Sequence, residues 1–224
     1  MKFANKVVVI TGGGTGIGRE TAHAFLEHGA SVVLNGRRES KLQETIAELD
    51  ASGQHVAYLA GDIGNPKTAR QLIRTAEQRF GGVDILVNNA GIFKPTPFLE
   101  HTEEDFGAYM DIILGGTFYT SQAAIPEMQR RGGGAIVNTG SMWASQAIGA
   151  TPSSAYSAAK AGVHSLTRNL AIEFAADRIR VNAMAPAVVE TPVYNTFMSD
   201  EEVNEVLPTF DDFHPLGQIG RAHV

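Results

Sequence analysis

The chain of 224 residues contains no cysteine and only one tryptophan. Without cysteine, disulfide bonds, thiolate metal sites and cysteine nucleophiles are all excluded. Positive charge is also scarce, since 18 lysines and arginines face 24 aspartates and glutamates, which gives a formal net charge of -6. This balance argues against a nucleic-acid partner, because nucleic-acid-binding domains usually carry a basic patch or stripe.

Long hydrophobic runs are missing as well. The first apolar run, Val7 to Ile10, follows a short N-terminus and is too short for a signal peptide or a membrane span. We therefore expect a cytoplasmic protein with no membrane partner. The seven histidines are scattered and lack metal-ligand spacing, so we expect no metal site.

The length and an apolar content of 43% suit a single domain over residues 1–224 with a sizeable buried core. Short β-branched runs alternate with longer helical segments, a pattern that predicts a parallel sheet covered on both faces. With right-handed crossovers the result is a doubly wound α/β fold. The predicted strands are Val7–Thr11, Ser31–Asn35, His55–Ala60, Asp84–Asn88, Ala135–Asn138 and Ile179–Met184. The predicted helices are Gly16–His28, Lys41–Ala51, Pro66–Phe80, Glu103–Arg131 with a break near Gly115, and Ser154–Ala176.

Residues 186–220 follow the last predicted strand and are irregular and rich in proline, aspartate and glutamate. A long irregular segment inside a compact domain is often functional, so we predict a substrate loop or lid here. Within it we expect one short helix over Asp200–Leu207.

A glycine-rich loop joins the first predicted strand to the first predicted helix. Such a loop lets the backbone approach a pyrophosphate, while the helix N-terminus offers free N–H groups. Taken alone, the loop could be a tight turn, but its place between a strand and a helix predicts dinucleotide binding. The spacing is wider than the usual GxGxxG, with three residues between Gly12 and Gly16. The predicted cofactor contacts here are Gly12, Gly14, Thr15, Gly16, Ile17 and Gly18.

The end of the second predicted strand bears on the choice between NADP and NAD. A carboxylate that binds the ribose of NAD would be expected about 20 residues after the loop. The sequence there is Leu34-Asn35-Gly36-Arg37-Arg38, with no carboxylate. Because a guanidinium pairs well with a phosphate, Arg37 and Arg38 favour NADP, with NAD possible. The alternative is that both arginines are solvated charges at a helix start.

Tyr156 and Lys160 lie four residues apart at the start of a predicted helix and share one face. A lysine ammonium favours the phenolate form of a nearby tyrosine and lowers its pKa, so the tyrosine could act as a general acid or base. In isolation, a surface pair is the commoner explanation of such a spacing.

The neighbouring motifs favour a catalytic pair over a surface pair. Ser141 follows the fifth predicted strand, and Asn88-Asn89-Ala90-Gly91 follows the fourth, at the same edge of the sheet. Together with the glycine loop and the Tyr156/Lys160 pair, these residues resemble the short-chain dehydrogenase/reductase family, from Lys6 to about Thr191. The resemblance implies a Rossmann-like fold. It also implies hydride transfer between a nicotinamide cofactor and a ketone or secondary alcohol.

The resemblance also implies roles for individual residues. Tyr156 would exchange a proton with the substrate oxygen, Ser141 would orient that oxygen, and Lys160 would bind the nicotinamide ribose and lower the pKa of Tyr156. Further implied cofactor contacts are Asp62, Asn89, Gly91, Pro186 and Thr191. Asp62 could instead be a turn or capping residue, and the Asn88-Asn89 pair a strand-end turn.

The substrate side is less defined by the sequence. Met142, Trp143 and Gln146 follow Ser141 and are predicted to line the substrate pocket, with ordinary loop packing as the alternative. The resemblance further implies a homodimer or homotetramer, in which the two longest helices pair across a two-fold axis. Small residues would allow their close approach, namely Ala158, Ala161, Gly162 and Ala171.

Four features depart from the family pattern. The separation of Ser141 and Tyr156, 15 residues, is slightly longer than the family usually has, which predicts a small loop insertion, and Pro186-Ala187 stands where the family usually has Pro-Gly. Ile113 stands where the family usually has an asparagine that supports a water relay to the lysine, and an isoleucine side chain has no hydrogen-bonding group. After residue 220 the resemblance implies a further helix and strand, so we expect either a truncated chain or a sheet without that edge. The last two departures leave open an alternative function, a dinucleotide-binding protein with weak or no turnover.

Overall fold

In a computed structural model, described over residues 1–50, 52–149, 151–214 and 216–222, the chain forms a six-stranded parallel sheet in the order β3-β2-β1-β4-β5-β6. The strands are β1 Val7–Thr11, β2 Ser31–Gly36, β3 Val56–Ala60, β4 Ile85–Asn88, β5 Gly134–Thr139 and β6 Ile179–Met184. A separate parallel ladder joins β7 Val189–Glu190 to β8 Gly220–Arg221. The prediction of a single α/β domain with a parallel sheet is confirmed, and each strand of the large sheet lies within one residue of its predicted bounds.

Helices cover both faces of the large sheet. They are α1 Gly16–Glu27, α2 Glu39–Leu49, α3 Pro66–Phe80, α4 Glu103–Tyr109, α5 Gly116–Arg130, α6 Ser154–Glu173 and α7 Asp200–Val206. Short 3-10 segments lie at Phe98–Glu100, Met142–Ala144, Tyr194–Thr196 and Leu207–Phe213.

The central strands are buried on both faces because their side chains alternate between two apolar layers. In β1, Val7 and Val9 pack into the larger core together with Leu72 and Met128. Val8 and Ile10 pack on the opposite face. This two-sided burial explains the continuous β-branched run that marks β1 in the sequence.

Several predicted helix bounds need correction. α1 ends at Glu27, α6 ends at Glu173, and α2 begins at Glu39, while the predicted end of that second helix at Ala51 lies outside the described residues. The predicted helix Glu103–Arg131 is divided into α4 and α5 by the π-helical turn Met110–Gly115, which ends at the predicted break. Periodicity alone did not reveal the wider turn, because the apolar pattern continues through it.

The segment 186–220 contains more regular structure than its composition suggests. α7 begins with a capping box in which Ser199 and Glu202 satisfy each other's backbone N–H groups. The predicted helix Asp200–Leu207 is therefore confirmed to within one residue. The ladder of β7 and β8 ties the start of this segment to its end.

Strand order reverses between β1 and β4, since β1 pairs with both β2 and β4. In doubly wound sheets, ligands bind at the carboxyl ends of the strands beside such a reversal. The loops that follow β1, β4 and β5 therefore define where a site is expected. Among the described residues, no helix has the length and apolarity needed to cross a membrane.

A charge cluster around the buried Asp84 carboxylate lies at the amino ends of β1 and β4, opposite the cleft side of the sheet. The Asp84 carboxylate accepts hydrogen bonds from Val7 N–H at 2.9 Å, from Arg131 Nη2 at 2.9 Å and from Lys6 Nζ at 3.2 Å. Burial would raise the pKa of Asp84, but these three donors together hold it below its ordinary value.

We expect Asp84→Ala to lower the free energy of unfolding by about 2–4 kcal/mol, because three donors lose a shared buried acceptor. The measurement is the urea midpoint at pH 7. Glu44→Ala, which removes the exposed pair with Lys41, is the control and should change the free energy by less than about 0.5 kcal/mol.

The stability difference between the wild type and Asp84→Ala should also depend on pH. A carboxylate whose folded-state pKa is depressed contributes stability above its unfolded-state pKa and loses it as pH falls through the folded value. The difference between the wild type and Asp84→Ala should therefore shrink below about pH 4. A difference that stays constant down to pH 2 would contradict the ionic origin of the effect.

Candidate active site

The glycine loop is packed so tightly that side chains are excluded at two positions. A Cβ on Gly12 would lie 2.9 Å from Ala90 Cα, and Gly12 has a positive φ of 67°. A Cβ on Gly18 would lie 2.2 Å from the Gly12 carbonyl oxygen. Close contact inside the loop thus requires these glycines, whereas a Cβ on Gly14 would make only ordinary contacts at 3.5 Å.

Asn89 holds this loop in place from the neighbouring strand. Its Nδ2 donates to the carbonyl oxygens of Thr11 and Gly12 at 3.2 and 3.3 Å. The Thr11 hydroxyl in turn accepts from the backbone N–H groups of Asn89 and Ala90, both at 3.0 Å. The Asn89 side chain therefore positions the glycine loop, a contribution that the sequence analysis did not foresee.

A second polar network lies within the sheet at the ends of β4 and β5, and the sequence analysis did not predict it. The buried Asn88 side chain donates to Asn138 Oδ1 at 2.9 Å and to Ser121 Oγ at 3.1 Å, and it accepts from Thr120 Oγ1 at 2.5 Å. Asn138 continues the chain to Thr167 of α6 at 2.9 Å. The signal for this network was present in the sequence, since asparagines end two strands that are otherwise apolar.

A continuous cleft runs along the carboxyl edge of the sheet. One lobe of about 470 Å³ and another of about 380 Å³ share Gly12, Thr15, Arg37, Arg38 and Gly91. The first lobe adds Gly14 and Asp62, and the second adds Gly16, Ile17, Asn89, Tyr156, Lys160 and Thr191. Most of the residues that the sequence analysis assigned to the cofactor thus line one cleft.

Gly18 and Pro186 are not among the residues that line this cleft. Gly18 packs against the Gly12 carbonyl, and the Pro186 carbonyl accepts a hydrogen bond from Met142 N–H at 3.1 Å. Asp62 lines the cleft but also accepts from Gly64 N–H at 2.9 Å, so the turn predicted as its alternative role is present too.

The cleft suits a dinucleotide by its donors. The Thr15 side chain does not cap α1, so N–H groups of the first turn are left for a phosphate. Nearby, Arg19 and Lys41 pair with Glu48 and Glu44. Within the described ranges, Arg37 and Arg38 have no ion-pair partner, which leaves both guanidinium groups at the cleft available to an anion.

Tyr156 and Lys160 line the second lobe, whereas the buried Ser141 lines neither lobe and lies behind Tyr156. The Ser141 hydroxyl acts on Tyr156 as a hydrogen-bonding neighbour that lowers its pKa, and Ser141 Oγ accepts from Trp143 N–H at 3.2 Å. Lys160 is only 3% exposed, its Nζ lies 5.7 Å from the centre of the Tyr156 ring, and it donates to the Thr139 carbonyl at 2.5 Å. The fold therefore brings together three side chains, of which the first and the last, Ser141 and Lys160, are 19 positions apart in the sequence.

Burial dominates the pKa values in this group. It raises the pKa of Tyr156 above its ordinary value, against the lowering effect of the Ser141 hydrogen bond, and Tyr109 adds to the rise. Burial also lowers the pKa of Lys160 to about 8. The causes acting on the pKa of Tyr156 in the protein alone do not include Lys160, so the expected lowering by Lys160 stays a prediction.

His164 is a residue of this site that the sequence analysis overlooked. Its Nε2 accepts a hydrogen bond from Ser141 N–H at 3.3 Å, and a Cβ on Gly140 would lie 2.1 Å from the same nitrogen. Burial, followed by Arg168 and Lys160, lowers the pKa of His164, which favours the neutral ring that can accept. The available signal was its position one helical turn after Lys160.

Ile113 lies in the π-helical turn and is 1% exposed. It packs with Tyr109, Ala159 and Val163, and its carbonyl accepts from Thr117 Oγ1 at 2.7 Å. The position where the family usually has an asparagine is therefore part of a small apolar core in this chain.

A third cavity of about 550 Å³ opens beside Tyr156 and is mainly apolar. Met142, Trp143 and Gln146 line it, and their assignment to a substrate pocket stays a prediction. The segment 186–220 supplies much of the opposite wall, including Tyr194, whose pKa burial raises to about 12. In the part of the chain that the structure describes, no group of three or more histidine, aspartate or glutamate residues is placed to hold a metal ion.

Comparison with known proteins shows that the chain belongs to the short-chain dehydrogenase/reductase family, because the family model for short chain dehydrogenases matches residues 6–202. An uncharacterized oxidoreductase of Thermotoga maritima is 40% identical over 222 residues, which are 99% of this chain and 87% of that protein. A 3alpha-hydroxysteroid dehydrogenase of Mediterraneibacter gnavus is 36% identical, over 98% of this chain and 86% of the relative.

The L-sorbose reductase of Gluconobacter frateurii, solved with NADPH and L-sorbose, has a TM-score of 0.90 at 29% identity, over 100% of this chain and 88% of that one. The family and fold make this protein an oxidoreductase with a nicotinamide dinucleotide cofactor.

Proposed function

We propose that this protein is an NADP(H)-dependent oxidoreductase that transfers a hydride between the nicotinamide and a ketone or secondary alcohol. The observation that carries this proposal is that Tyr156 and Lys160 line the dinucleotide cleft, with Ser141 next to Tyr156. Ser141 and Tyr156 offer two hydroxyl groups to a substrate oxygen, and Lys160 is a buried cation beside them.

The residues of the cleft divide the cofactor among them. The glycine loop and the first turn of α1 would hold the pyrophosphate, Asp62 the adenine end, and Lys160 and Thr191 the nicotinamide end. Arg37 and Arg38 would pair with a 2′-phosphate on the adenosine ribose. When bound, the nicotinamide supplies or accepts the hydride.

At the substrate, Ser141 orients the oxygen and Tyr156 exchanges the proton with it. Because the two hydroxyl groups are neighbours, one substrate oxygen could contact both. His164 holds the Ser141 backbone N–H, and Trp143 N–H donates to the Ser141 hydroxyl at 3.2 Å, so both parts of the serine have a fixed neighbour. With a pKa near 8, Lys160 can gain or lose a proton close to neutral pH. Since Ile113 offers no polar side-chain atom, proton supply to Tyr156 has to bypass residue 113.

The segment 186–220 would act as the substrate loop, because it contributes Val188, Tyr194 and Phe197 to the cavity beside Tyr156. A second candidate function is dinucleotide binding with little or no turnover. The buried, apolar Ile113 favours it, since the usual relay side chain is replaced by one that joins the core.

We further propose that the chain forms at least a homodimer through the outer faces of α5 and α6. Phe118 is 45% exposed and Ile172 is 82% exposed on these helices, which is typical of an interface. The small-residue argument from the sequence needs correction at two positions. Gly162 packs against Leu114 in the same chain, and Ala171 packs against the core.

Cofactor choice gives a direct test. We expect NADPH to bind at least about tenfold more tightly than NADH, because one charge-assisted contact to the phosphate contributes about 1.5–3 kcal/mol. Arg37→Asp should abolish or reverse this preference in equilibrium titrations. Arg74→Asp, an exposed arginine of α3 that does not line the cleft, makes the same charge change and should leave the preference intact. Equal affinities in the wild type would refute the NADP assignment.

Acid–base catalysis gives the test of the reaction itself. We expect Tyr156→Phe to lower kcat by at least about 10²–10⁴ while NADPH binding changes by less than about threefold, because the lost hydroxyl acts on the substrate proton. Tyr58→Phe is the matched control, since its hydroxyl bonds Glu39 outside the cleft, and it should retain full activity.

Cofactor binding and turnover, measured on the wild type and these variants, distinguish the two candidate functions. NADPH binding without turnover on any ketone in the wild type would support the binding protein. Near-full activity of Tyr156→Phe on a true substrate would show that the catalytic assignment is incorrect.

The assembly is tested by light scattering at tens of micromolar protein. We expect at least twice the monomer mass for the wild type, and dissociation of Ile172→Lys, because a lysine at the centre of an apolar interface would be desolvated. Leu99→Lys is the control, since Leu99 is 94% exposed outside these helices. A wild-type monomer would contradict the proposed interface.

A further inference from the structure

The cavity beside Tyr156 differs sharply in chemistry from the dinucleotide cleft. Apolar and aromatic side chains form most of its wall, including Phe93, Met142, Trp143, Ile148, Phe197 and Met198. Among the described residues that line it, none is aspartate, glutamate, lysine or arginine. Its volume of about 550 Å³ lies in the ordinary range for a small-molecule pocket.

Polar side chains are a minority in this wall, and they are Trp143, Gln146, Thr151, Tyr194 and His214. Trp143 Nε1 donates to Thr151 Oγ1 at 2.9 Å, and His214 Nδ1 bonds the Phe210 carbonyl at 2.9 Å, whereas His214 Nε2 is buried without a partner among the described residues. A single hydroxyl or carbonyl group on a ligand could pair with His214 Nε2. A ligand with many hydroxyl groups would lose more hydrogen bonds to water than this wall could replace, which is costly. A carboxylate or phosphate on the ligand would meet no lysine or arginine in the described wall.

Phe93 connects this cavity to the reacting groups. Its ring meets the Tyr156 ring edge-on, with centres 5.0 Å apart, and lies 6.3 Å from Trp143 and 6.0 Å from Phe197. Phe93 also lines the dinucleotide cleft. A substrate oxygen held by Tyr156 and Ser141 would therefore project its carbon skeleton past Phe93 into the apolar cavity.

We infer that the substrate is an uncharged, bulky ring compound with one secondary alcohol or ketone, and neither a sugar nor a charged acid or ester. The inference rests on the proposed function, because it places the reacting oxygen at Tyr156. Ring compounds fit best, since flat faces pack against aromatic walls and lose little conformational freedom on binding.

Binding can be measured without turnover, because Trp143 is the only tryptophan in the chain and lines the cavity. We expect 4-cyclohexylcyclohexanone, added with NADP+ present, to change Trp143 fluorescence with saturation at micromolar concentration. L-Sorbose should cause no saturable change up to millimolar concentration. Phe98→Ala, in which an exposed phenylalanine outside the cavity is removed, should respond as the wild type does.

Turnover tests the same inference by size and by truncation. We expect kcat/KM for 4-cyclohexylcyclohexanol to exceed that for cyclohexanol by at least about 100-fold, because each additional buried methylene favours the larger substrate about tenfold or more. Phe197→Ala should reduce this ratio at least tenfold, whereas Phe98→Ala should preserve it.

The outcomes separate the inference from the proposed function. Saturable binding of the bicyclic ketone without oxidation of any alcohol would support the apolar pocket and overturn the proposed reaction. Oxidation of sugars or polyols in preference to the bicyclic alcohol would overturn the substrate class and leave the reaction standing. A Phe197→Ala variant with an unchanged ratio would show that the cavity does not hold the substrate.

Discussion

The contact between the loops after β1 and β4 sets the geometry of everything above the sheet. Here the Thr11 hydroxyl accepts two backbone N–H groups from the β4 side, and the Asn89 amide donates back to two carbonyl oxygens of the β1 side. Each such hydrogen bond contributes only about 1 kcal/mol net, but four of them together fix the glycine loop in one conformation. Gly12 and Gly18 are required because this arrangement leaves no room for a Cβ. The dinucleotide cleft is the space that remains.

The reacting groups depend on burial more than on their mutual charges. Lys160 is almost completely enclosed, and the Thr139 carbonyl at 2.5 Å is the partner that makes a buried ammonium tolerable. Desolvation lowers its pKa and raises that of Tyr156, so in the protein alone the phenol is held protonated. The His164 ring lies behind Ser141 and accepts its backbone N–H at 3.3 Å.

Two cavities with opposite chemistry meet at this group. The dinucleotide cleft offers glycine backbone, the first turn of α1 and two arginines, which together suit an anionic ligand. The cavity on the other side of Phe93 offers aromatic and aliphatic walls. The division follows from the fold, because the loops after the strands carry the polar contacts while the segment 186–220 closes an apolar side. Among the described residues, Phe93 alone lines both the second lobe of the cleft and the apolar cavity, so the two binding surfaces meet at one ring beside Tyr156.

The sequence by itself determined the elements that depend on local pattern. Continuous apolar runs marked the six strands, and the glycine loop marked the dinucleotide cleft. The four-residue spacing of Tyr156 and Lys160 placed both on one helical face, and the family resemblance added Ser141. These features could be predicted because alternation, glycine requirements and helical periodicity act over a few residues. Tertiary structure alone decided the Asn89 clamp, the contact of His164 with Ser141 and the sign of the Tyr156 pKa shift. Each of these depends on contacts or burial set by segments far apart in the chain, and local pattern does not encode distance or solvent exclusion.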